Sequence, residues 1–208
     1  MLQELFKGIK TPRGITHIAG PPNSGKTTLL YNVCRSIKKD EKAIIFDCEM
    51  NFSAQRLQEI IIDNEINLQN IIIIRTPEKN SQFFNIMKLH SFLAQIKCGF
   101  IAINGMTNHF RIPDKEDNVM LPHKMLAMQM AYLNLISKKL RMPILLTNQV
   151  LYRSIDKRKI FTPVLNTIIE YYSDNVIMVE LLNRGIWRAK SKNNEVFYKL
   201  VSTGIEIV

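Results

Sequence analysis

Residues 20–27 read Gly-Pro-Pro-Asn-Ser-Gly-Lys-Thr and fit the pattern G-x-x-x-x-G-K-[ST]. This stretch follows an apolar segment of strand length, residues 14–19, and precedes a segment of helical pattern, residues 28–39. Between a strand and a helix, the pattern predicts a loop whose backbone amides cradle phosphate groups at the N-terminus of the helix. The sequence therefore predicts a nucleoside triphosphate site in an α/β fold.

Individual positions of this loop have specific predicted roles. Gly20 and Gly25 permit backbone torsions and a close approach of phosphate that a Cβ atom would obstruct. Lys26 supplies positive charge to the β- and γ-phosphates, and the hydroxyl of Thr27 is the expected ligand for Mg²⁺. The residues predicted to contact the nucleotide here are Gly20, Pro21, Pro22, Asn23, Ser24, Gly25, Lys26, Thr27 and Thr28.

Apolar runs of strand length alternate with helical patterns along the rest of the chain. Continuous apolar runs predict strands at residues 14–19, 43–47, 71–75, 100–104 and 143–147, and the four isoleucines of residues 71–75 predict a buried strand. Helical spacing predicts helices at residues 28–39, 53–64, 81–97 and 121–140. Three shorter segments predict a strand meander, at residues 176–182, 185–189 and 196–201. Because continuous apolar strands are typical of a parallel sheet covered on both faces, we expect a doubly wound, mainly parallel α/β sheet with antiparallel strands at the C-terminal edge.

Length and composition favour one folded domain over residues 1–208. Of the 208 residues, 46% are hydrophobic and 22% are charged, which argues against disorder, collagen and coiled coil. The sequence has no apolar stretch of the roughly 20 residues that a membrane span needs, and no secretory signal. Cys34, Cys48 and Cys98 lie far apart and are interpreted as buried thiols of a reducing compartment. We therefore expect a cytoplasmic protein without a membrane partner.

The charge balance favours an anionic partner. The formal net charge is +10, and positive residues concentrate at 151–160 and 184–199, where they alternate with aromatic residues such as Tyr152 and Trp187. Cationic groups neutralise phosphates and aromatic rings stack on bases, so this composition suits single-stranded nucleic acid. The alternative is a generically basic surface without a specific ligand.

Polar side chains follow two of the predicted strands, at the sheet edge where α/β proteins bind ligands. Glu49 comes just after the strand at 43–47 and is placed to orient or deprotonate an attacking water. Gln149 follows the strand at 143–147, and its amide can both donate to and accept from a phosphate or a water. Taken alone, each has a simpler interpretation, as an exposed loop acid and as a polar strand end.

These segments, in this order, resemble the core ATPase domain of the RecA-type recombinases, especially the short archaeal RadA paralogues of the RadB and RadC kind. The similar segments are residues 4–9, 47–57, 100–107 with Phe110 and Arg111, 147–150, 163–173 and 197–205. The resemblance implies ATP and Mg²⁺ as cofactors. It implies catalytic roles for Lys26, Glu49 and Gln149, with Gln149 coupling the nucleotide to a DNA-binding loop, and it implies that Arg56 packs on the adenine ring.

The resemblance also implies two DNA-binding loops, at residues 108–121 and 151–166, the second of which contains one of the basic clusters. With the basic stretches found independently, the residues expected to contact DNA are Arg111, Arg153, Lys157, Arg158, Lys159, Arg184, Arg188 and Lys190. The expected partners are single-stranded DNA and a RadA-type recombinase or another paralogue, and the expected location is at the nucleoid.

Three departures from the family pattern modify this expectation. Asn104 stands where the family has its Walker B aspartate, so the expected metal residues, Thr27 and Asn104, bring no negative charge to Mg²⁺. The paired glycines of the second loop are replaced by Leu165 and Asn166. We further expect no separate N-terminal DNA-binding domain before residue 14. We therefore expect weak or impaired ATP hydrolysis and an accessory role rather than strand exchange by this chain alone.

The function expected from the sequence is that of an ATP-binding, single-stranded-DNA-binding accessory protein of homologous recombination and repair. The alternative is a P-loop ATPase or kinase that acts on a protein or a small molecule, such as a KaiC-like ATPase or a nucleotide kinase. Small-molecule kinases usually need an arginine-rich lid over the acceptor phosphate. The Arg and Lys residues here concentrate in late loops and edge strands instead, which favours the first function.

Overall fold

One mixed sheet forms the centre of the molecule. The computed structural model describes residues 13–61, 68–111, 120–155, 158–183 and 185–208. The strands are β1 (Gly14–Gly20), β2 (Lys42–Asp47), β3 (Ile71–Arg75), β4 (Cys98–Asn104), β5 (Pro143–Ile155), β6 (Arg158–Pro163), β7 (Asn175–Asn183), β8 (Ile186–Lys190), β9 (Glu195–Val201) and β10 (Gly204–Ile207). Their order is β10-β9-β8-β7-β1-β5-β4-β2-β3, and β6 pairs with β5 outside this order.

The strand directions confirm the predicted fold class. From β3 across to β7 every neighbouring pair is parallel, whereas β8, β9 and β10 continue the sheet as an antiparallel meander. The parallel pairs arise because a helical connection returns the chain to the same edge before each new strand. The carboxyl ends of β1, β2, β4 and β5 therefore meet at one edge, which is where the candidate site lies.

Helices cover both faces of the sheet. They are α1 (Lys26–Cys34), α2 (Ala54–Ile61), α3 (Lys79–Met87), α4 (Leu89–Leu93), α5 (Met120–Leu140) and α6 (Asn166–Tyr172). One apolar core lies between the sheet and α1 with α2, and it extends to Tyr198 of the meander. The second lies between the sheet and α3 to α6 and includes Leu126, Met130 and Leu133 of α5. In the described parts of the chain, no helix combines the length and hydropathy needed to cross a membrane.

Two predicted helices are shorter than the sequence pattern suggests. The first ends at Cys34 rather than at residue 39, because the Ser36 hydroxyl donates to the carbonyl of Val33 at 2.7 Å and the backbone closes into i to i−3 turns. The helix predicted at residues 81–97 is divided at Lys88 into α3 and α4. No glycine or proline marks that division in the sequence, so periodicity alone could not locate it.

The strand predicted as buried at residues 71–75 is an edge strand. β3 pairs only with β2 along the strand order, and its four isoleucines are half-buried rather than buried. A continuous apolar run predicts a strand, but the position of that strand in the sheet depends on the path of the whole chain. The prediction of a strand is confirmed, and the prediction of its burial is wrong.

Residues 151–166 form regular structure where the sequence suggests a long loop. β5 continues through Gln149 to Ile155 and turns back as β6, in a register that pairs Arg153 with Ile160 and Ile155 with Arg158. The intervening residues 156–157 lie outside the described part of the chain. The second expected DNA-binding loop is therefore a β-hairpin that extends β5 beyond the sheet, and α6 follows it.

His17 is a buried histidine in β1 whose neutral state should make folding pH-dependent. Its side chain is fully buried, neither ring nitrogen has a hydrogen-bond partner among the described residues, and burial lowers its pKa to about 4. The pKa of His17 in the folded protein lies below its ordinary value. The free energy of unfolding is therefore unaffected by this histidine above about pH 6.5, and it decreases as the pH falls from there towards 4. The loss reaches about 3 kcal/mol.

We expect His17→Leu to remove this component of acid destabilisation. The free energy of unfolding, measured in urea between pH 7.5 and 4.5, should fall less steeply in the variant than in the wild type. His90→Gln, a substitution of an exposed histidine, serves as the control and should follow the wild type. Parallel curves for the wild type and His17→Leu would contradict the prediction.

Candidate nucleotide-binding site

The predicted phosphate loop lies between β1 and α1, as the sequence pattern requires. Gly25 precedes α1 with a φ of 80°, in the left-handed region that glycine adopts without strain. A Cβ atom on Gly25 would also lie 2.4 Å from Leu200 Cδ2 of β9, so a side chain there would displace Leu200. Asn23 has a φ of 60°, which asparagine tolerates better than most residues. These torsions give the loop the conformation that the motif demands.

Lys26 is folded back into its own loop. Its side chain is only 7% exposed, and Nζ donates to the carbonyl of Pro21 at 2.7 Å and to Ser24 Oγ at 3.4 Å. Burial lowers the pKa of Lys26 to about 8, an effect that Glu49 opposes and Arg111 reinforces. The ammonium group therefore occupies a poorly solvated position in which anionic phosphate oxygens would be strongly stabilising partners.

The C-terminal meander contacts the phosphate loop, and the sequence did not predict this contact. The Tyr198 hydroxyl donates to the carbonyl of Ser24 at 2.8 Å, and burial raises the pKa of this tyrosine. Together with Leu200, it fixes the loop against β9. The only signal in the sequence is an aromatic residue in an apolar strand, and such a residue is more often ordinary core.

Two hydroxyl groups and one amide oxygen converge beside the phosphate loop. Asn104 lies at the end of β4, and its Oδ1 accepts from Thr27 Oγ1 at 3.1 Å and from Thr147 Oγ1 at 3.1 Å. Thr147 Oγ1 in turn accepts from the amide of Gly105 at 2.7 Å. Hydroxyl and amide oxygen atoms can ligate Mg²⁺, a hard cation that takes oxygen ligands and keeps several waters, but they bring no negative charge to it. Thr27 and Asn104 are thus the residues that would hold the ion.

A buried carboxylate lies behind this pair. Asn104 Nδ2 donates to Asp47 Oδ1 at 3.3 Å and to Asn51 Oδ1 at 2.9 Å. Asp47 is fully buried at the end of β2, and its second oxygen accepts from the amide of Phe52 at 2.9 Å. Asp47 is not among the site residues that the sequence predicts, although an acid at the end of a buried strand is a signal in itself.

Glu49 and Gln149 meet at the same edge of the sheet. Gln149 Nε2 donates to Glu49 Oε1 at 3.4 Å, and Asn51 Nδ2 donates to Glu49 Oε2 at 3.1 Å. Arg111 completes the cluster, because its Nη1 donates to Gln149 Oε1 at 2.6 Å and its Nη2 lies 3.9 Å from Glu49 Oε1. Gly105, with a φ of 83°, leaves the space that Glu49 occupies.

Arg56 faces the meander instead of an open pocket. Its guanidinium donates to the carbonyls of Val201 and Ser202, and Nη1 lies 3.0 Å from Glu59 Oε2. The side chain is thus held at the turn between β9 and β10. Stacking on an adenine ring would require these contacts to be exchanged or the ring to lie against the guanidinium face.

The residues expected to bind DNA fall into three groups. Arg111 lies in the Glu49 cluster, and Arg188 is engaged by Glu180 and Glu195 across the meander, whereas Lys190 is exposed. The structure describes the backbone of three of them on the β5–β6 hairpin, Arg153, Arg158 and Lys159. Two lie outside the described residues, Lys157 and Arg184, as do residues 112–119 of the first expected loop.

Comparison with known proteins places the chain in a family. The sequence profile of the Rad51 family matches residues 1–171. The chain belongs to the Rad51 family. Its nucleotide-binding, RecA-like fold agrees with the mainly parallel sheet and the phosphate loop described above. The resemblance drawn from the ordered motifs is thereby confirmed.

The relatives are archaeal proteins of similar length. The chain is 28% identical over 218 residues to the "DNA repair and recombination protein RadB" of Methanococcus maripaludis, with 100% of this chain and 98% of the relative covered. It is 27% identical over 217 residues to the RadB of Methanocaldococcus jannaschii, with both chains fully covered. The RadB of Pyrococcus abyssi is 26% identical over 218 residues, with 91% of that protein covered.

Proposed function

We propose that this protein is an ATP- and single-stranded-DNA-binding accessory factor of homologous recombination and DNA repair. In this role it hydrolyses ATP weakly and modulates a RadA-type recombinase as a single core domain at the nucleoid. The full-length similarity to proteins named for DNA repair and recombination supports the process. The chemistry of the site supports the ligand and the weakness of turnover.

The observation that carries the proposal is the position of Gln149. Its amide contacts Glu49 at the nucleotide site, and the strand that contains it continues directly into the basic β5–β6 hairpin. A change in the contacts of Gln149 when a γ-phosphate enters would therefore be transmitted along β5 to the hairpin backbone. The same strand thus links the group that responds to nucleotide with the segment proposed to bind DNA.

The residues of the site have complementary roles in this proposal. The loop amides and Lys26 bind the phosphates, and Thr27 and Asn104 hold Mg²⁺, which when bound neutralises phosphate charge. Glu49 accepts a proton from, or orients, the attacking water. Asn51 donates to its Oε2 at 3.1 Å, and the Arg111 guanidinium lies 3.9 Å from its Oε1. The missing charge at Asn104 favours slow turnover.

The direct test measures ATP binding, ATP turnover and binding of single-stranded DNA with the purified chain. We expect ATP and DNA to bind, and turnover to be slow with Mg²⁺ present. Rapid turnover would contradict the proposed impairment, and an affinity for DNA that is independent of salt would remove the nucleic-acid argument, because phosphate contacts release counterions.

Asn104→Asp is expected to raise Mg²⁺-dependent turnover by about tenfold or more, because a charged ligand interacts about twice as strongly as a neutral one. The same substitution should lower the stability of the nucleotide-free protein, since two carboxylates would face each other where Asn104 Nδ2 and Asp47 Oδ1 are now 3.3 Å apart. Steady-state ATPase assays and thermal unfolding with and without Mg²⁺-ATP measure both effects. Asn134→Asp, at a half-buried asparagine of α5, is the control. Unchanged turnover in Asn104→Asp would show that the missing charge does not limit hydrolysis.

A further inference from the structure

The amide of Asn104 has a defined orientation in this site. Its Oδ1 faces Thr27 and Thr147, whose hydroxyls can donate or accept and therefore do not distinguish the two amide orientations. On the opposite side, Asp47 Oδ1 faces Nδ2 at 3.3 Å. A carboxylate only accepts hydrogen bonds, so it requires the nitrogen of Asn104 on its side and thereby directs the oxygen towards Thr27.

The hydrogen bonds of Asp47 and Asn51 support this assignment. The Asp47 oxygens accept from Asn104 Nδ2 and from the Phe52 amide. Asn51 Nδ2 donates to the Glu49 carboxylate at 3.1 Å, which turns Asn51 Oδ1 towards Asn104 Nδ2 at 2.9 Å. Two carboxylates, Asp47 and Glu49, thus fix both asparagine amides from opposite ends.

We propose that Asp47 is the positioning residue and the buried counter-charge of the Mg²⁺ site, acting through the Asn104 amide. The family resemblance implies a carboxylate at position 104. Here the carboxylate is that of Asp47, which lies one hydrogen bond further from the proposed ion. Asp47 polarises the amide so that Asn104 Oδ1 carries more negative charge at the face shared with Thr27. The inference deepens the proposed function, because it rests on the nucleotide site argued above.

The burial of Asp47 explains why a cation is needed. The side chain is 0% exposed, and within the described ranges it forms no ion pair with a lysine, arginine or histidine. A buried charge is costly unless it is paired. A divalent ion held by Thr27 and Asn104 would balance this charge from the far side of the amide, so binding of the ion and burial of Asp47 stabilise each other.

Asp47→Asn tests the proposal with an isosteric change. The single oxygen of the new amide would satisfy the Phe52 amide, which leaves an NH₂ group facing Asn104 Nδ2. Two donors cannot pair, so the Asn104 amide would be held by the Asn51 oxygen alone, without the negative charge of Asp47, and its Oδ1 should bind Mg²⁺ less strongly. The binding of a fluorescent ATP analogue is measured with Mg²⁺ and with EDTA, which separates the contribution of the ion from that of the loop amides and Lys26.

We expect Mg²⁺ to strengthen nucleotide binding to the wild type by about tenfold or more, and to Asp47→Asn by about twofold or less. Affinity in EDTA should be similar for both. The exchange Asp47→Asn with Asn104→Asp moves the carboxylate to the ion and restores a donor–acceptor pair between positions 47 and 104, so it should recover the Mg²⁺ effect. Asp174→Asn is the matched control, because Asp174 Oδ2 also accepts a backbone N–H, from Ile15 at 2.8 Å.

Each outcome decides the proposal. A full Mg²⁺ effect in Asp47→Asn, or no Mg²⁺ effect in the wild type, overturns it while leaving nucleotide binding intact. Loss of binding in EDTA that the exchanged double variant does not recover also overturns it, because Asp47 would then have only a structural role. If the wild type binds no ATP under either condition, the proposed function itself fails, which is a distinct result.

Discussion

Replacement of Lys26 by alanine is expected to weaken ATP binding by about a hundredfold or more. Charge-assisted hydrogen bonds to phosphate are worth about 1.5–3 kcal/mol each, and the buried ammonium of Lys26 is placed to make more than one. The alanine variant should also lose turnover, with or without single-stranded DNA. Equilibrium binding of a fluorescent ATP analogue measures the loss, and Lys38→Ala, at a largely exposed lysine outside the loop, provides the control.

The protonation of Lys26 offers an independent measure of the same contact. Its pKa of about 8 in the nucleotide-free protein should rise when phosphate oxygens replace the carbonyl of Pro21 as its main partner. Binding should therefore take up about half a proton at pH 8 and almost none at pH 7, and the affinity should fall as the pH rises above 8. Calorimetry in buffers of different ionisation enthalpy detects this uptake.

Lys26→Arg distinguishes the source of that proton. A guanidinium stays charged in both states, so the variant should bind without proton uptake at pH 8. Proton uptake equal to that of the wild type would assign it to another group. ATP affinity unchanged in Lys26→Ala would contradict the assignment of residues 20–27 as the phosphate site.

The phosphate loop and the parallel core were predictable because their determinants are local. Gly25 and Lys26 belong to a motif that specifies both torsion and charge, and the apolar runs at β2, β4 and β5 specify buried parallel strands. The predicted meander is confirmed as well, although β10 and the short α6 were not anticipated. Short elements carry too few residues for periodicity to distinguish them from turns.

The chemistry around Asn104 could not be read from the sequence because it depends on tertiary contacts. The substitution of the Walker B acid is visible in the sequence, but the neighbouring Asp47 carboxylate comes from a different strand, 57 residues away along the chain. The same holds for Tyr198, which reaches Ser24 across 174 residues. Motifs identify which groups are present, whereas the strand order determines which of them touch.

Leu165 shows how a departure from the family pattern is accommodated. It stands where the resemblance implies a glycine, and it adopts a φ of 50°, in the left-handed region that favours glycine, immediately before α6. A leucine there costs about 1–2 kcal/mol in backbone strain, which the surrounding fold must offset. The hairpin before it therefore ends at a fixed turn, and the basic residues on β5 and β6 are presented on regular structure.

Neutralising the hairpin is expected to weaken binding of single-stranded DNA by a hundredfold to a thousandfold at about 0.1 M salt. The variant replaces Arg153, Lys157, Arg158 and Lys159 with glutamine. If each makes one phosphate contact, the slope of log affinity against log salt should decrease in magnitude by about 3, because each contact to a single strand contributes about 0.7. Fluorescence anisotropy with an oligonucleotide over a range of salt concentrations gives both quantities, and the loss should be similar for different base sequences.

The matched control separates a local contact from the general effect of charge. Glutamine at Lys38, Lys138, Lys139 and Arg141 also removes four of the positive charges that give the chain its net +10. These residues precede β2 and β5, so they lie at the amino edge of the sheet, opposite Gln149 and the hairpin. A local site predicts a steep loss only in the hairpin variant, with ATP affinity unchanged in both. Equal losses in the two variants would mean that DNA responds to the overall charge, and the link from Gln149 along β5 to DNA would then have no basis.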